Sequence, residues 1–274
     1  MSAVAHPMST DEAAPPPVFD VGSPDFPVLL RAFYDKLFPF QTYYDWLNYG
    51  APEPTKVFQN REFSFTIGDD IYIRYQSFRD RDTMKSEFLR LCPSKIDIGA
   101  VYTTRPRDKK SVLPGAFQPT EKDLVLDIDM TDYDEIRTCC QGGDICRRCW
   151  RFMTVAMHII HAALVEDFGF RHIMWVYSGR RGVHCWVSDE QARQLGNDGR
   201  RAIVGYLEVI RGGSNQERKV NLPAQLHPHL IRSYGIVRQH FADLVLNQQE
   251  VLREPEQWQR ILRIIPDEDP SGLS

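Results

Sequence analysis

The segment Leu124-Val125-Leu126-Asp127-Ile128-Asp129-Met130 constrains this chain most. It reads as a buried β-strand carrying two carboxylates two residues apart. Side chains alternate between the faces of a strand, so Asp127 and Asp129 share one face. Leu124, Leu126, Ile128 and Met130 share the other, which the rest of the fold must cover. Adjacent carboxylates repel unless a cation or a proton lies between them. On a rigid strand such a pair can hold Mg²⁺ or Mn²⁺ that also grips substrate phosphates. Alone, the pair is a weak signal and a solvated strand end is the commoner reading, so other parts of the chain must decide.

With 274 residues the chain is long enough for one large domain or two small ones. Its 42% apolar and 26% charged residues are those of an ordinary soluble globular protein. No apolar run reaches bilayer-spanning length, which predicts no membrane partner. Met1 to Pro17 shows neither a basic nor an apolar signal region, so no secretory leader is read there. A net charge of −4 gives nucleic-acid binding no whole-molecule support but leaves room for a local basic site.

Residues 1–24, rich in Pro, Ala and Ser, are expected to be disordered. A helix is expected from Phe26 through Leu47, stopped by Gly50. Arg61–Ile67 alternates, turns at Gly68-Asp69-Asp70 and returns as Ile71–Tyr75, a hairpin that sets Arg74 opposite Ser64 with Glu62 diagonal to it. A strand near Asp97–Tyr102 precedes a basic loop, Thr103–Pro119. Past the Asp127 strand come a cysteine cluster, a helix from about Trp150 to Phe168 closed by Gly169, and a second hairpin, Ile173–Val187. Beyond Asp189 only helical patterns follow, at roughly 190–211, 226–247 and 256–263, with Gly212-Gly213-Ser214 between the first two. The expected layout is a mixed α/β core over 25–189, with an insertion at 139–149, a helical subdomain over 190–263 and a short end, 264–274.

Four of the six cysteines, Cys139, Cys140, Cys146 and Cys149, crowd into eleven residues. Four thiolates suit tetrahedral Zn²⁺. A redox reading of Cys146-Arg147-Arg148-Cys149 lacks a βαβ context and leaves the other two cysteines unexplained. A zinc-deaminase reading lacks its His-x-Glu and Pro-Cys-x-x-Cys. The second motif is Ser178-Gly179-Arg180-Arg181-Gly182-Val183-His184, the turn and return strand of the second hairpin. Its glycines permit close backbone approach, and its arginines can grip phosphates with forked hydrogen bonds. An exposed basic turn with a core histidine is the plainer reading. Glu62 and Arg74 share the polar face of the first hairpin and would, by themselves, be a cross-strand salt bridge. Together the motifs form a polymerase-like inventory: carboxylates for two metals, and cations and amides for a triphosphate.

Several stretches carry a resemblance: Tyr43-Tyr44-Asp45-Trp46-Leu47-Asn48-Tyr49-Gly50, Arg61-Glu62-Phe63-Ser64-Phe65, Asp70-Ile71-Tyr72-Ile73-Arg74-Tyr75-Gln76-Ser77-Phe78, Lys95-Ile96-Asp97-Ile98-Gly99-Ala100-Val101-Tyr102, Asp127 to Asp134, the cysteine cluster, and Val176 to Trp186. As a set, over about residues 25–210, the chain resembles the small catalytic subunits of eukaryotic DNA primases, in the archaeo-eukaryotic primase family. The resemblance implies an α/β prim-pol catalytic core with an inserted zinc knuckle and an α-helical subdomain. It implies a nucleotidyltransferase that makes short RNA primers on single-stranded DNA from ribonucleoside triphosphates, in the nucleus, bound to a large primase subunit and DNA polymerase alpha. Asp127 and Asp129 match its Mg²⁺ or Mn²⁺ ligands, Glu62 a further active-site acid and Arg74 a pocket arginine. Ser178, Gly179, Arg180, Arg181, Gly182, Val183 and His184 match its nucleotide-binding loop, and the four cysteines its structural zinc knuckle. Members of the family continue past the helical subdomain and bring a third metal-binding Asp. Here Ile264-Ile265-Pro266-Asp267-Glu268-Asp269 reads as a solvated linker before Ser274, so the match is C-terminally truncated. The rival expectation is therefore a non-catalytic, zinc-containing binding or assembly form.

Overall fold

The computed structural model describes residues 23–68, 70–208, 225–255, 258, 259 and 262. It comprises two compact units, one ending at Pro119 and the other starting at Thr120. The fold is mixed α/β, as the resemblance implies.

In the first unit α1 (Phe26–Ala32) runs into a π-helical stretch, Phe33–Leu37. The single helix expected through Leu47 is broken at Pro39. Proline lacks an amide hydrogen and pushes the residue before it into extended conformation. Phe38 accordingly takes φ −66° and ψ 123°, and the chain restarts as α2 (Phe40–Leu47). Tyr49 and Gly50 then turn left-handed, with φ of 51° and 72°. Asn48, buried, pins the loop that follows: its amide donates to the carbonyls of Ala51 and Glu53, and its oxygen accepts from the Thr55 amide and hydroxyl.

Next come α3 (Lys56–Gln59), β1 (Arg61–Ile67), β2 (Ile71–Gln76), α4 (Arg81–Leu91) and β3 (Lys95–Tyr102). β1 lies between β2 and β3 and runs antiparallel to both. Helix α4 falls where the sequence pattern suggested no element. Asp80 caps it by accepting from the Thr83 amide at 2.8 Å, and only Met84 and Phe88 of its residues are fully buried. Phe88 is the hub of the core: six aromatic rings, of Tyr34, Phe38, Phe40, Tyr43, Phe65 and Phe78, lie within 6.3 Å of it, mostly edge-on.

In the chain's middle, β4 (Pro119–Glu121) spans the junction of the units. The second unit continues with β5 (Leu124–Asp129), α5 (Arg147–Glu166), β6 (Ile173–Tyr177) and β7 (Gly182–Val187). The strands form an antiparallel sheet in the order β5-β7-β6. Its apolar face, including Leu124, Leu126 and Ile128 with Val183, Cys185 and Val187, is covered by residues of α5 such as Phe152, Met153 and Leu164. Burial pushes the Cys185 thiol up to about 12, so this lone cysteine acts as core. The helix expected over 190–211 is instead α6 (Glu190–Arg193) and α7 (Asn197–Leu207), parted at Gly196, whose extended ψ of 175° ends one run and caps the next. α8 (Pro228–Phe241) continues as a π-helical stretch to Gln248. The tail 1–22, Asp69, Gly212 to Ser214, most of 256–263 and all of 264–274 lie outside the described residues.

Candidate active site

On β5 the predicted division of faces holds. Leu124, Leu126 and Ile128 are buried, while the Asp127 carboxylate is 71% exposed. The pairing register sets Asp127 directly across from His184 and Asp129 across from Gly182. His184 Nε2 lies 3.4 Å from Asp127 Oδ1. Close approach of the two strands requires glycine at 182, since a Cβ there would sit 2.5 Å from the Ile128 carbonyl oxygen.

Asp129 is held more firmly. One carboxylate oxygen accepts from the amide and hydroxyl of Thr131 at 2.9 and 2.8 Å, and the other from Arg181 Nε at 2.7 Å. The Thr131 amide, then its hydroxyl and the Arg181 guanidinium, keep this carboxyl below its usual range against the pull of burial. Two carboxylate sites of unlike firmness thus lie on one open strand face. Their oxygen chemistry fits a hard divalent cation: Asp127 has room for one, and Asp129 is ionised and fixed in direction.

The turn after β6 is more closed than its sequence suggested. Gly179 adopts φ 88°. The Gly182 amide, expected to be free for a ligand, donates to Ser178 Oγ at 3.0 Å, and Ser178 N–H donates to the Gly182 carbonyl at 2.9 Å. The Val183 side chain points into the core. Arg181 reaches Asp129, whereas the exposed Arg180 lies against the cysteine loop, its Nη2 3.0 Å from where a Cβ on Gly143 would stand.

Cys139, Cys140, Cys146 and Cys149 converge, all four Sγ atoms within 4.8 Å of one another, and none is in a disulfide. Zn–S bonds of ~2.3 Å in a tetrahedron need S···S edges of ~3.8 Å, and the Cys146–Cys149 pair stands at 3.9 Å. Among the described residues this is the one gathering of three or more metal-capable side chains. Cys146 opens α5. Burial opposes its ionisation, but the amides of Cys149 and Arg148 overcome that and bring its thiol down to about 6. Burial and the neighbouring sulfurs push Cys140 up to about 12.

Two groups that the sequence reading missed complete this site. Arg137, its side chain fully buried, donates to the carbonyls of Gly142 and Asp144, pairs with Asp134 and reaches Cys149 Sγ at 3.8 Å. Gln249 donates to Cys139 Sγ at 3.5 Å and accepts from the Thr138 amide at 2.7 Å. A four-thiolate zinc carries net negative charge, and outer donors of this kind offset it. The donor set therefore fits structural zinc. A basic residue just ahead of a cysteine pair was a usable signal for Arg137; Gln249, 110 residues from Cys139, had none.

In the first unit Glu62 is almost wholly buried, its side chain 4% exposed. It accepts from Arg74 Nε at 3.1 Å, the Tyr102 hydroxyl at 3.1 Å, the Tyr75 amide at 3.4 Å and the Ser64 hydroxyl at 3.5 Å. The register expected for the hairpin holds from the turn to Phe65, and a bulge follows it. Phe65 pairs with Ile73 but Phe63 with Gln76, and Tyr75 takes φ 62°. Arg74 pairs with Glu62 across the hairpin, as the polar face of the two strands led the sequence reading to expect. Burial, then the Glu62 charge, pushes the Tyr102 hydroxyl up to about 12, so it stays a donor. Gly99 makes room here, since a Cβ on it would lie 2.9 Å from Glu62 Cβ.

The family model described as DNA primase small subunit matches residues 126–272, more than half of the chain. The DNA primase small subunit of Schizosaccharomyces pombe is 45% identical over 239 residues, 86% of this chain and 52% of that protein. That of Drosophila melanogaster is 43% identical over 248 residues, 89% of this chain and 56% of the relative. The DNA primase small subunit PriS of Archaeoglobus fulgidus is 29% identical over 178 residues, 64% and 50% of the two chains. The chain thus spans about half the length of the curated relatives it matches. The matched model takes in both Asp129 and the cysteine knuckle, and on that match the chain belongs to the DNA primase small subunit family.

Proposed function

We propose that this chain carries the catalytic centre of a DNA primase, a nucleotidyltransferase that joins ribonucleotides into short primers on single-stranded DNA. The observation that carries the reading is the open carboxylate pair on β5, facing His184 and adjoining the arginine turn. Asp127 and Asp129 would hold Mg²⁺ or Mn²⁺. When bound, such a cation activates a primer 3′-hydroxyl and offsets charge on the departing pyrophosphate. Asp127 supplies the accessible oxygens, and Asp129 a carboxylate aimed by Thr131. Arg181 brings a fixed cation beside the acids, where phosphate charge develops during transfer. His184 donates or accepts a hydrogen bond at the same face. Ser178 and Gly179 shape the turn, Gly182 brings β7 against β5, and Val183 contributes backbone only. Arg180 adds a second phosphate-binding guanidinium. Glu62 serves by fixing Arg74, whose half-exposed guanidinium is the group available to substrate. Zinc at the four cysteines is structural. The family further supports a large primase subunit and the DNA polymerase alpha complex as partners, and a nuclear location.

The test is primer synthesis on single-stranded DNA from ribonucleoside triphosphates, with and without the large subunit. Asp127→Ala should abolish nucleotide incorporation while leaving the melting temperature unchanged, because it deletes a ligand and no packing. Incorporation by Asp127→Ala at the unsubstituted rate refutes the assignment.

A further inference from the structure

The cysteine loop and the turn after β6 meet in two places. Arg180 lays its guanidinium over Gly143: a Cβ built there would lie 3.0 Å from Nη2 and 3.6 Å from both Cζ and Nε. The floor beneath it is rigid. Buried Arg137 donates to the carbonyls of Gly142 and Asp144, the residues on either side of Gly143. Further along, Trp150, the residue after Cys149, meets the Tyr177 ring edge-on at 5.3 Å. The Tyr177 hydroxyl in turn donates to the Arg180 carbonyl at 2.8 Å. The Arg180 side chain therefore lies on the cysteine loop, and its carbonyl is tied through Tyr177 to Trp150 at the start of α5.

We propose that the cysteine knuckle is a platform that positions Arg180 for triphosphate binding, with Gly143 as the contact and Tyr177 as the brace. This rests on the reading that Arg180 binds phosphate. A long arginine side chain loses rotamer freedom when it grips a phosphate, and a surface that already holds it lowers that loss. Glycine at 143 lets the guanidinium lie close, since a Cβ there would push it back by a few tenths of an ångström. The atom a Cβ would strike is the far end of a flexible side chain, so alanine there displaces the guanidinium and leaves the backbone in place. Residues 143, 177 and 180 thereby act as a unit, with 143 and 177 positioning residues.

The experiment is a double-mutant cycle on the chain, reading the Kd of ATP with Mg²⁺, the Kd of adenosine, and zinc content per chain. Arg180→Ala should weaken ATP about tenfold, a loss of one charge-assisted contact. Gly143→Ala should weaken ATP about three- to tenfold, keep its zinc and leave adenosine binding alone. Combined, the two should weaken ATP no more than Arg180→Ala does, because the glycine acts only through the arginine. Tyr177→Phe, at an exposed residue, should weaken ATP about twofold to threefold with zinc retained. ATP affinity unchanged in Gly143→Ala, or losses that add fully with Arg180→Ala, overturn the platform while leaving the phosphate-binding role of Arg180 standing. If Gly143→Ala loses its zinc, Tyr177→Phe decides, and unchanged affinity there overturns the proposal. Unchanged affinity in Arg180→Ala instead removes the underlying reading of the turn.

Discussion

Glu62 and Asp127 are both acids on the polar faces of antiparallel strands, and their surroundings differ in kind. In the first unit the polar face of β1 is sealed. Glu62, Ser64 and Thr66 are all buried opposite an aromatic core, and Glu62 accepts hydrogen bonds from four residues. In the second unit the polar face of β5 is open. Asp127 has His184 as its near neighbour and points to solvent, and part of the core beside it is built from thiols. A buried carboxylate with four donors has little capacity left for a ligand, whereas an exposed one on a rigid strand is open to a cation. Burial and hydrogen-bond count thus separate two acids to which the resemblance gives active-site roles.

Metal removal should break the comparison most forcefully. Four thiolates around zinc contribute folding free energy directly, with apparent values of ~10–16 kcal/mol in isolated zinc modules. Stripping zinc, or Cys149→Ser, should cost the second unit its ordered loop and the start of α5. Hydrogen exchange at residues 137–153 is the measurement: protection there should vanish, while amides of β1 and β3 keep theirs. Equal loss in both regions would mean that the aromatic core depends on the knuckle as well.

Next in size is the direct contrast of the two acids. Glu62→Ala leaves Arg74, the Tyr102 hydroxyl and the Tyr75 amide without their acceptor and opens a cavity, at a cost of about 2–4 kcal/mol. Asp127→Ala, at an open position, should stay within about 0.5 kcal/mol. Denaturant unfolding of the two variants reads the difference. A destabilised Asp127→Ala would show that the carboxylate has a structural partner after all.

How much of this was legible in sequence follows from the range of the forces involved. The division of faces on β5 was legible because strand period is local. The convergence of four cysteines was too, since they lie close in the chain. The pairing of Asp127 with His184 needed the register of β5 against β7, strands with the cysteine cluster, α5 and β6 between them in the chain. The Arg74–Glu62 pair was legible from the alternation, whereas the bulge at Tyr75, which brings the Tyr75 amide onto Glu62 as well, leaves no mark on that pattern. Pro39 was visible and was overridden by a long run of helically spaced apolar residues. Nothing near Gln249 in the chain announces a thiolate.

The smallest predicted effect extends the same contrast to a third acid. Asp80 caps α4, and the Thr83 hydroxyl and amide, followed by Arg79, bring its carboxyl down to about 2 from 3.8. Like Glu62 it is occupied by donors, but it lies nearer the surface. Its native pKa is below its unfolded value, so the ionised cap stabilises the fold fully above pH 4 or so, and that contribution is lost as pH falls toward 2. Asp80→Ala should cost about 1 kcal/mol at neutral pH, the usual worth of a helix cap. Asp80→Asn keeps an acceptor oxygen and should recover most of it. The decisive measurement is stability against pH. The gap between the unsubstituted chain and Asp80→Asn should be flat above pH 5 and shrink between pH 4 and 2, because only the first loses a charge there. A gap that stays constant through that window would mean that the cap works by hydrogen-bond geometry alone, and that ionisation adds nothing to an acid already saturated with donors.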